Sequence, residues 1–368
     1  MAENATCNAD NNDSSFPGKI MVITNLPSQS QNEEEFWSGE QLVAKYGSNK
    51  VIHANWPSFF MQEREQIHAL IASLAVDGEI KALIMNQTVP GCNAAVDKLK
   101  SIRDDLFIVY CTPHDPAPDA AARANLLFTA DELGTGPAIV KQAKKQGAKT
   151  FIHYSFPRHM AMAIYSVRRS LIQAACAAEG LRFVDVTVID PTEDMYNAQQ
   201  FIFDDVPKLA SKHGEDTAFF CTNCFLQAPL IEAVVANHAI YPQPCCPSPY
   251  HGYIEAFDIE TANGMPDLNH VIREIRDIAA RENMSGRLST WPVSVPMMLT
   301  RVGAEYAIKW INGQVPKTGI DGKVLMDCMK EYIRGASGED IGVSMTSYTE
   351  EGRAYDTFKL VLMDYLDF

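Results

Sequence analysis

Two histidines, an arginine and two aromatic residues fall within the eight residues 153–160, HYSFPRHM, directly after the apolar run 150–152. Side chains of these types can move protons, ligate a metal or hold a ligand unchanged. Metal binding would draw on His114, Asp115, His153, His159 and His251. None of these stands in a His-x-x-x-His or Cys/His pattern of known ligand spacing, so the sequence predicts neither a metal nor a cofactor. Cys221-Thr-Asn-Cys224 has the spacing of a redox pair, with Cys245-Cys246 following. However, Cys221 closes a strand-like apolar run, and adjacent cysteines do not make the second half of a zinc ribbon. These thiols are expected to lie reduced in the core.

Nucleophilic and phosphoryl chemistry lack their motifs. Ser155 has no flanking glycines and there is no G-x-S-x-G elbow. Gly134-Thr-Gly136 lacks the lysine and the spacing of a phosphate loop. Glu193-Asp194 reads as a solvated turn. An enzyme is therefore not expected.

Ligand holding suits the inventory better. Arg158 offers a bidentate fork to an anion, and Tyr154 or Phe156 a stacking face. Tyr250 and Trp291 offer further flat faces. Asn25, Ser28, Asn86, Gln87, Thr112, Asp190 and Asn223 supply directed hydrogen bonds, and His114, His153 and His251 complete the candidate set. About half of this set is expected to be structural, as core aromatics and helix-capping amides.

The elements that must position these residues alternate. Apolar runs at 20–24, 51–54, 82–85, 106–110 and 126–128 read as strands, and helical periodicity falls between them at 33–46, 61–76 and 94–102. Ser30 and Glu33 match a capping box. A second cycle follows, with strands at 150–154, 183–189 and 217–221 and helices at 137–146, 160–178, 198–212 and 226–237. Further helices at 270–282 and 295–312, a strand at 288–290 and a closing strand at 358–368 complete the chain. The pattern predicts an α/β protein of two successive doubly wound units with parallel sheets. Ligands in such sheets bind beyond the carboxyl ends of the strands. Those ends are 24–28, 55–57, 86–90, 112–115, 153–158, 190–192, 222–223 and 249–253, where nearly all the unusual polar and aromatic residues fall.

At 368 residues the chain is long for one core. Its 31 Lys and Arg against 46 Asp and Glu give a net charge of −15, which disfavours nucleic acid and anionic membrane surfaces as partners. No apolar run reaches the roughly 18–20 residues of a membrane span. Residues 1–17 carry no basic residue and no apolar stretch, and read as a flexible tail.

The segments TADELG and AKKQGAK within 129–149, HYSFPRHM, CCPSPYHGY and STWPV together resemble one family from about Lys19 to the C-terminus. It is an uncharacterised family of bacterial proteins, often lipoproteins, with the type I periplasmic-binding-protein fold. The resemblance implies two Rossmann-like lobes joined by a hinge of three crossing strands. It implies a tail at 1–18, a first lobe of 19–128 plus 287–318, and a second of 129–286 plus 319–368. It implies a small-molecule ligand held in the cleft, hinge closure around it, and delivery to an ABC-transporter permease. An extracytoplasmic location is implied as well, with membrane attachment through a lipid anchor absent from this sequence. A cytosolic sensor or regulator sharing the fold, without its own DNA-binding domain, is the alternative.

Overall fold

In the computed structural model, residues 16–26, 33–60, 62–260 and 267–368 are described, apart from the Glu33 side chain. Ser28 and Ser30 lie outside them. Strands β1 (Lys19–Thr24), β2 (Val51–Asn55), β3 (Ile80–Asn86), β4 (Phe107–Cys111) and β5 (Leu126–Ala130) pair in parallel. β6 (Thr150–Ser155), β7 (Arg182–Thr187) and β8 (Thr217–Cys221) form a second parallel sheet in the order β7-β6-β8. Both sheets were expected.

The last strands differ from expectation. After β9 (Ser289–Thr290), strands β10 (Val343–Glu350) and β11 (Arg353–Met363) form an antiparallel hairpin, and β11 pairs with β5. The first sheet is therefore mixed, in the order β10-β11-β5-β4-β3-β1-β2. Of the segment 319–368, expected with the second lobe, β10 and β11 join the first sheet, and β12 (Leu366–Asp367) pairs with β9 in a separate two-stranded sheet. The hairpin is hidden in the sequence because its turn is Glu351-Gly352, with φ of +49° and +79°, where the usual signal is Asn-Gly or Asp-Gly.

Both faces of the first sheet are covered, so its strands read as unbroken apolar runs. Ile20, Val22, Ile84, Val109 and Phe128 face Met298, Leu299 and Val302 of helix Val295–Ile311. The alternate residues Met21, Ile23, Leu83, Met85, Ile108 and Leu127 face Ile67, Ile71, Val96 and Leu99 of helices Arg64–Ala72 and Cys92–Lys100. This is the two-residue alternation of a strand resolved into two cores. Helix Glu33–Tyr46 presents Gly39 to β2, because the His53 ring fills the space a Cβ would need, at 2.3 Å. In the second sheet Phe151 and Phe220 pack under Ile139, Val140 and Ile172. The opposite face, with Ile152, Tyr154 and Phe219, joins the first core through Trp291 and Val293. The chain leaves the first sheet for the second after β5, returns to the first sheet after β9, and leaves it again after β11 for the small β9–β12 sheet. No helix among the described residues is long and apolar enough to cross a membrane.

Candidate functional site

β1, β3 and β4 end on a chain of side-chain hydrogen bonds. Asn25 Nδ2 donates to Glu35 Oε2 at 2.9 Å, Gln87 Nε2 donates to Glu35 Oε1 at 2.7 Å, and Gln87 Oε1 lies 2.8 Å from His114 Nε2. Glu35 is only 2% exposed. Burial pushes its carboxyl up to about 7, against the opposing pull of the two amides. Gln87 and Thr112 have φ of +51° and +47°, a backbone region that disfavours their side chains and that concentrates at ligand sites.

The strand ends of the second sheet carry rings and thiols. The His159 ring centroid lies 4.1 Å from that of Phe156 and 4.4 Å from that of Tyr165, and its Nδ1 is 3.0 Å from Thr222 Oγ1. Burial and the Arg158 charge lower its pKa to about 4, so the ring is neutral at pH 7. Beside it, Cys224 Sγ lies 3.4 Å from Cys245 Sγ and 3.8 Å from Cys246 Sγ, and His251 Nε2 is 3.6 Å from Cys245 Sγ.

Two contacts close the space between the sheets. Ser248 Oγ donates to Glu34 Oε1 at 3.2 Å, and Arg168 Nη1 donates to Glu132 Oε2 at 2.6 Å. Burial pushes Glu34 and Glu132 upward too, and Cys246 is within electrostatic reach of Glu34, Glu35 and Glu132. The buried Glu35, the half-buried Glu34 and the exposed Glu132 thus gather with the thiol group and the His159–Tyr165 stack around one acidic region between the sheets.

The structure divides the expected site. Asn25, Gln87, Thr112 and His114 lie at the strand ends of the first sheet, and His251 joins the thiols. Arg158 does not offer a free fork: its Nε and Nη2 donate to Asp190 at 2.7 and 3.0 Å, and Asp190 also accepts from Thr192. Tyr154 is not a stacking face, because it is fully buried and donates to Asp205 at 2.9 Å. His153 is 1% exposed, bound to Asp185 and packed on Phe183 and Phe220. Phe156 is buried beneath Arg158 and His159. Trp291 is core. Asn86 ties β3 to helix Val295–Ile311, donating to Thr300 Oγ1 at 2.5 Å and Pro296 O at 3.0 Å. Asn223 caps the turn Cys224–Leu226. β6 is buried on both faces, so its neighbouring residues His153 and Tyr154 enter opposite cores and neither reaches the space between the sheets.

Sequence reasoning missed Glu34, Glu35, Glu132, Tyr165, Arg168 and the gathered thiols. The run Glu33-Glu34-Glu35 reads as helix-start chemistry, and only its place just after β1 signals a site. The cysteines converge through the path of the segment 241–253, which their spacing does not reveal.

A cavity of about 580 Å³ lies on the flank, between helices Glu33–Tyr46, Leu268–Arg281, Val295–Ile311 and Gly322–Ser337. Gln41, Lys45, Arg301, Glu305 and Glu331 line it, and among the expected site residues only Tyr250 reaches it. It lacks the strand ends on which ligands of this architecture bind, so the acidic space between the sheets is the stronger candidate.

Comparison with known proteins agrees with the two-sheet architecture. A crystallised putative transcriptional regulator from Clostridium difficile 630 is similar over 96% of this chain and 100% of its own, with a TM-score of 0.85 and 20% identity. A sugar ABC transporter protein from Actinomyces odontolyticus ATCC 17982 is similar over 81% and 84%, with a TM-score of 0.54 and 11% identity. The substrate-binding protein of a sugar ABC transport system from Bordetella parapertussis 12822 is similar over 95% and 89%, at 0.51 and 12%. At these identities the likeness shows the fold, that of the type I periplasmic binding proteins. An uncharacterized protein of Treponema pallidum (strain Nichols) is 34% identical over 165 residues, which are 44% of this chain and 76% of that protein. Residues 19–289 match the family described as protein of unknown function (DUF3798), and the chain belongs to that family.

Proposed function

We propose that the protein binds a small polar solute between the two sheets, a sugar or polyol before any anion, and passes it to an ABC-transporter permease. The observation that carries this reading is the buried Glu35 carboxylate, gripped by amides from the ends of β1 and β3. A carboxylate and two amides so arranged suit vicinal hydroxyls, each of which donates and accepts. With Arg158 paired to Asp190 and Arg168 to Glu132, both guanidinium groups already hold a carboxylate, so an organic acid finds no unpaired arginine fork here. In this reading the lobes divide near 131, 291–294 and 364–365, and hinge closure buries the solute. Binding without turnover, and an extracytoplasmic location, belong to the same proposal.

A second reading is a ligand sensor that acts through a partner, favoured by the full-length likeness to a protein described as a putative transcriptional regulator. The net charge of −15 argues against direct contact with DNA in that case. A thermal-shift screen with sugars, polyols, nucleosides, amino acids and organic acids tests the binding proposal. A ligand at a hundredfold above its Kd adds about 2.7 kcal/mol of stability. A neutral hydroxylated hit recovered unchanged supports it, and stabilisation by organic acids alone removes it.

A further inference from the structure

Cys224, Cys245, Cys246 and His251 bring one donor atom each to within 4.8 Å of one another, and we propose that they form a tetrahedral Cys3His site for a soft divalent cation, zinc foremost. A zinc ion with sulfur at about 2.3 Å and nitrogen at about 2.0–2.1 Å has edges of about 3.8 Å between sulfurs and about 3.6 Å between sulfur and nitrogen. The sulfur–sulfur edges here are 3.4, 3.8 and 3.9 Å, and the edge from Cys245 to His251 is 3.6 Å. A disulfide between Cys224 and Cys245 would need the sulfurs at about 2.05 Å and would leave Cys246 and His251 without a reason to converge.

The surroundings hold these donors in place. Asn223 Oδ1 accepts from Phe225 N at 2.9 Å, forming the turn that throws Cys224 out of β8, while Cys221 stays in the apolar core. The fully buried Gln227 donates to the Asn223 carbonyl at 2.5 Å and accepts from the Cys245 amide at 3.3 Å, so one side chain fixes the two cysteine segments against each other. Gly252 follows His251 with φ of +79°, and a Cβ there would meet Gln227 Cβ at 2.7 Å. This close approach carries the histidine over the thiols. Outer contacts of this kind orient metal ligands. Cys246 is exposed, which gives a cation a way in.

All four ligands come from the second sheet's side, and the bound ion would staple the segment 245–251 to the end of β8. Ser248 of that segment bonds Glu34, so the metal orders one wall of the acidic space without being the solute. The proposal stands independently of solute binding. Uptake releases protons as the thiols become thiolates.

The test uses the full chain, reduced and stripped with a chelator, then titrated with Co²⁺ and afterwards Zn²⁺. One equivalent of Co²⁺ is expected to give thiolate charge-transfer absorption and the visible bands of tetrahedral cobalt, which Zn²⁺ removes. Cys246→Ser and His251→Ala should each weaken binding by at least about 100-fold, whereas Cys328→Ser, at a thiol outside the four-donor group, should leave it unchanged. Should a variant fail to fold, the wild-type chain still decides, because Zn²⁺ must protect Cys246 from alkylation. The site is overturned if the reduced chain shows no charge-transfer band, if the band survives in folded Cys246→Ser and His251→Ala chains, or if Cys246 alkylates equally with and without Zn²⁺.

Discussion

Ser248 Oγ donates to the carboxylate of Glu34 at 3.2 Å, joining residues 214 positions apart and linking the loop beyond β8 to the helix that follows β1. It is a direct polar tie between the two halves of the acidic space. Ser248→Ala removes this bond to the half-buried Glu34 together with the one Ser248 Oγ accepts from Tyr250 N, and is expected to lower stability by about 1 kcal/mol, measured by urea unfolding. Unchanged stability would mean that the two groups do not hold each other in solution.

The Glu35 carboxyl is raised from 4.5 to about 7 by burial. A raised acid binds its proton more tightly in the folded chain, so its contribution to stability is lost as the pH rises from about 4.5 through about 7. Glu34 and Glu132, also raised, act in the same direction. Glu35→Gln should remove up to about 3 kcal/mol of this pH dependence, with the stability difference between pH 5 and pH 8 as the readout. A variant with the same pH slope as wild type would place Glu35 in water.

Arg158 pairs bidentately with Asp190, and the arginine side chain is 49% exposed. Solvent screening keeps the pair modest, and Arg158→Ala should cost about 1 kcal/mol of stability. It should leave the affinity for a neutral solute unchanged in calorimetry. Selective loss of an anionic ligand instead would restore Arg158 as an anion clamp.

Asn86 links β3 to helix Val295–Ile311 through Thr300 and Pro296. Asn86→Ala removes both tying hydrogen bonds, leaving Thr300 only its own donation to Pro296 O, and should cost about 1–3 kcal/mol, with the chevron's unfolding arm showing most of the effect. A neutral effect on stability accompanied by lost ligand affinity would return Asn86 to the binding site.

The parallel sheets were legible because most of their strands, such as β3, β4, β6 and β8, are buried on both faces and read as apolar runs with helical periodicity between runs. β10 was not, since Val343-Ser-Met-Thr-Ser-Tyr alternates weakly and its turn lacks the customary residues. Strand ends pointed to the candidate region, but their side chains face different ways, so Gln87 meets Glu35 while its neighbour Asn86 meets a helix. The run HYSFPRHM illustrates the same limit. Its His153 and Tyr154 are packing residues, Arg158 is an ion-pair partner, and the buried Phe156 backs His159 in its stack on Tyr165. Acidic residues at a helix start and cysteines far apart in the chain gain meaning only when the fold brings them together.

Titration calorimetry of the neutral hydroxylated compound that most stabilises the protein, on wild type, Gln87→Ala and Arg301→Ala, tests the central claim most directly. Gln87→Ala unseats one arm of the Glu35 grip, and Arg301→Ala alters the flanking cavity. Binding between the sheets predicts at least a tenfold loss for Gln87→Ala, roughly 1.4 kcal/mol, and wild-type affinity for Arg301→Ala. The reverse pattern would move the binding site to the cavity between the helices and contradict the account.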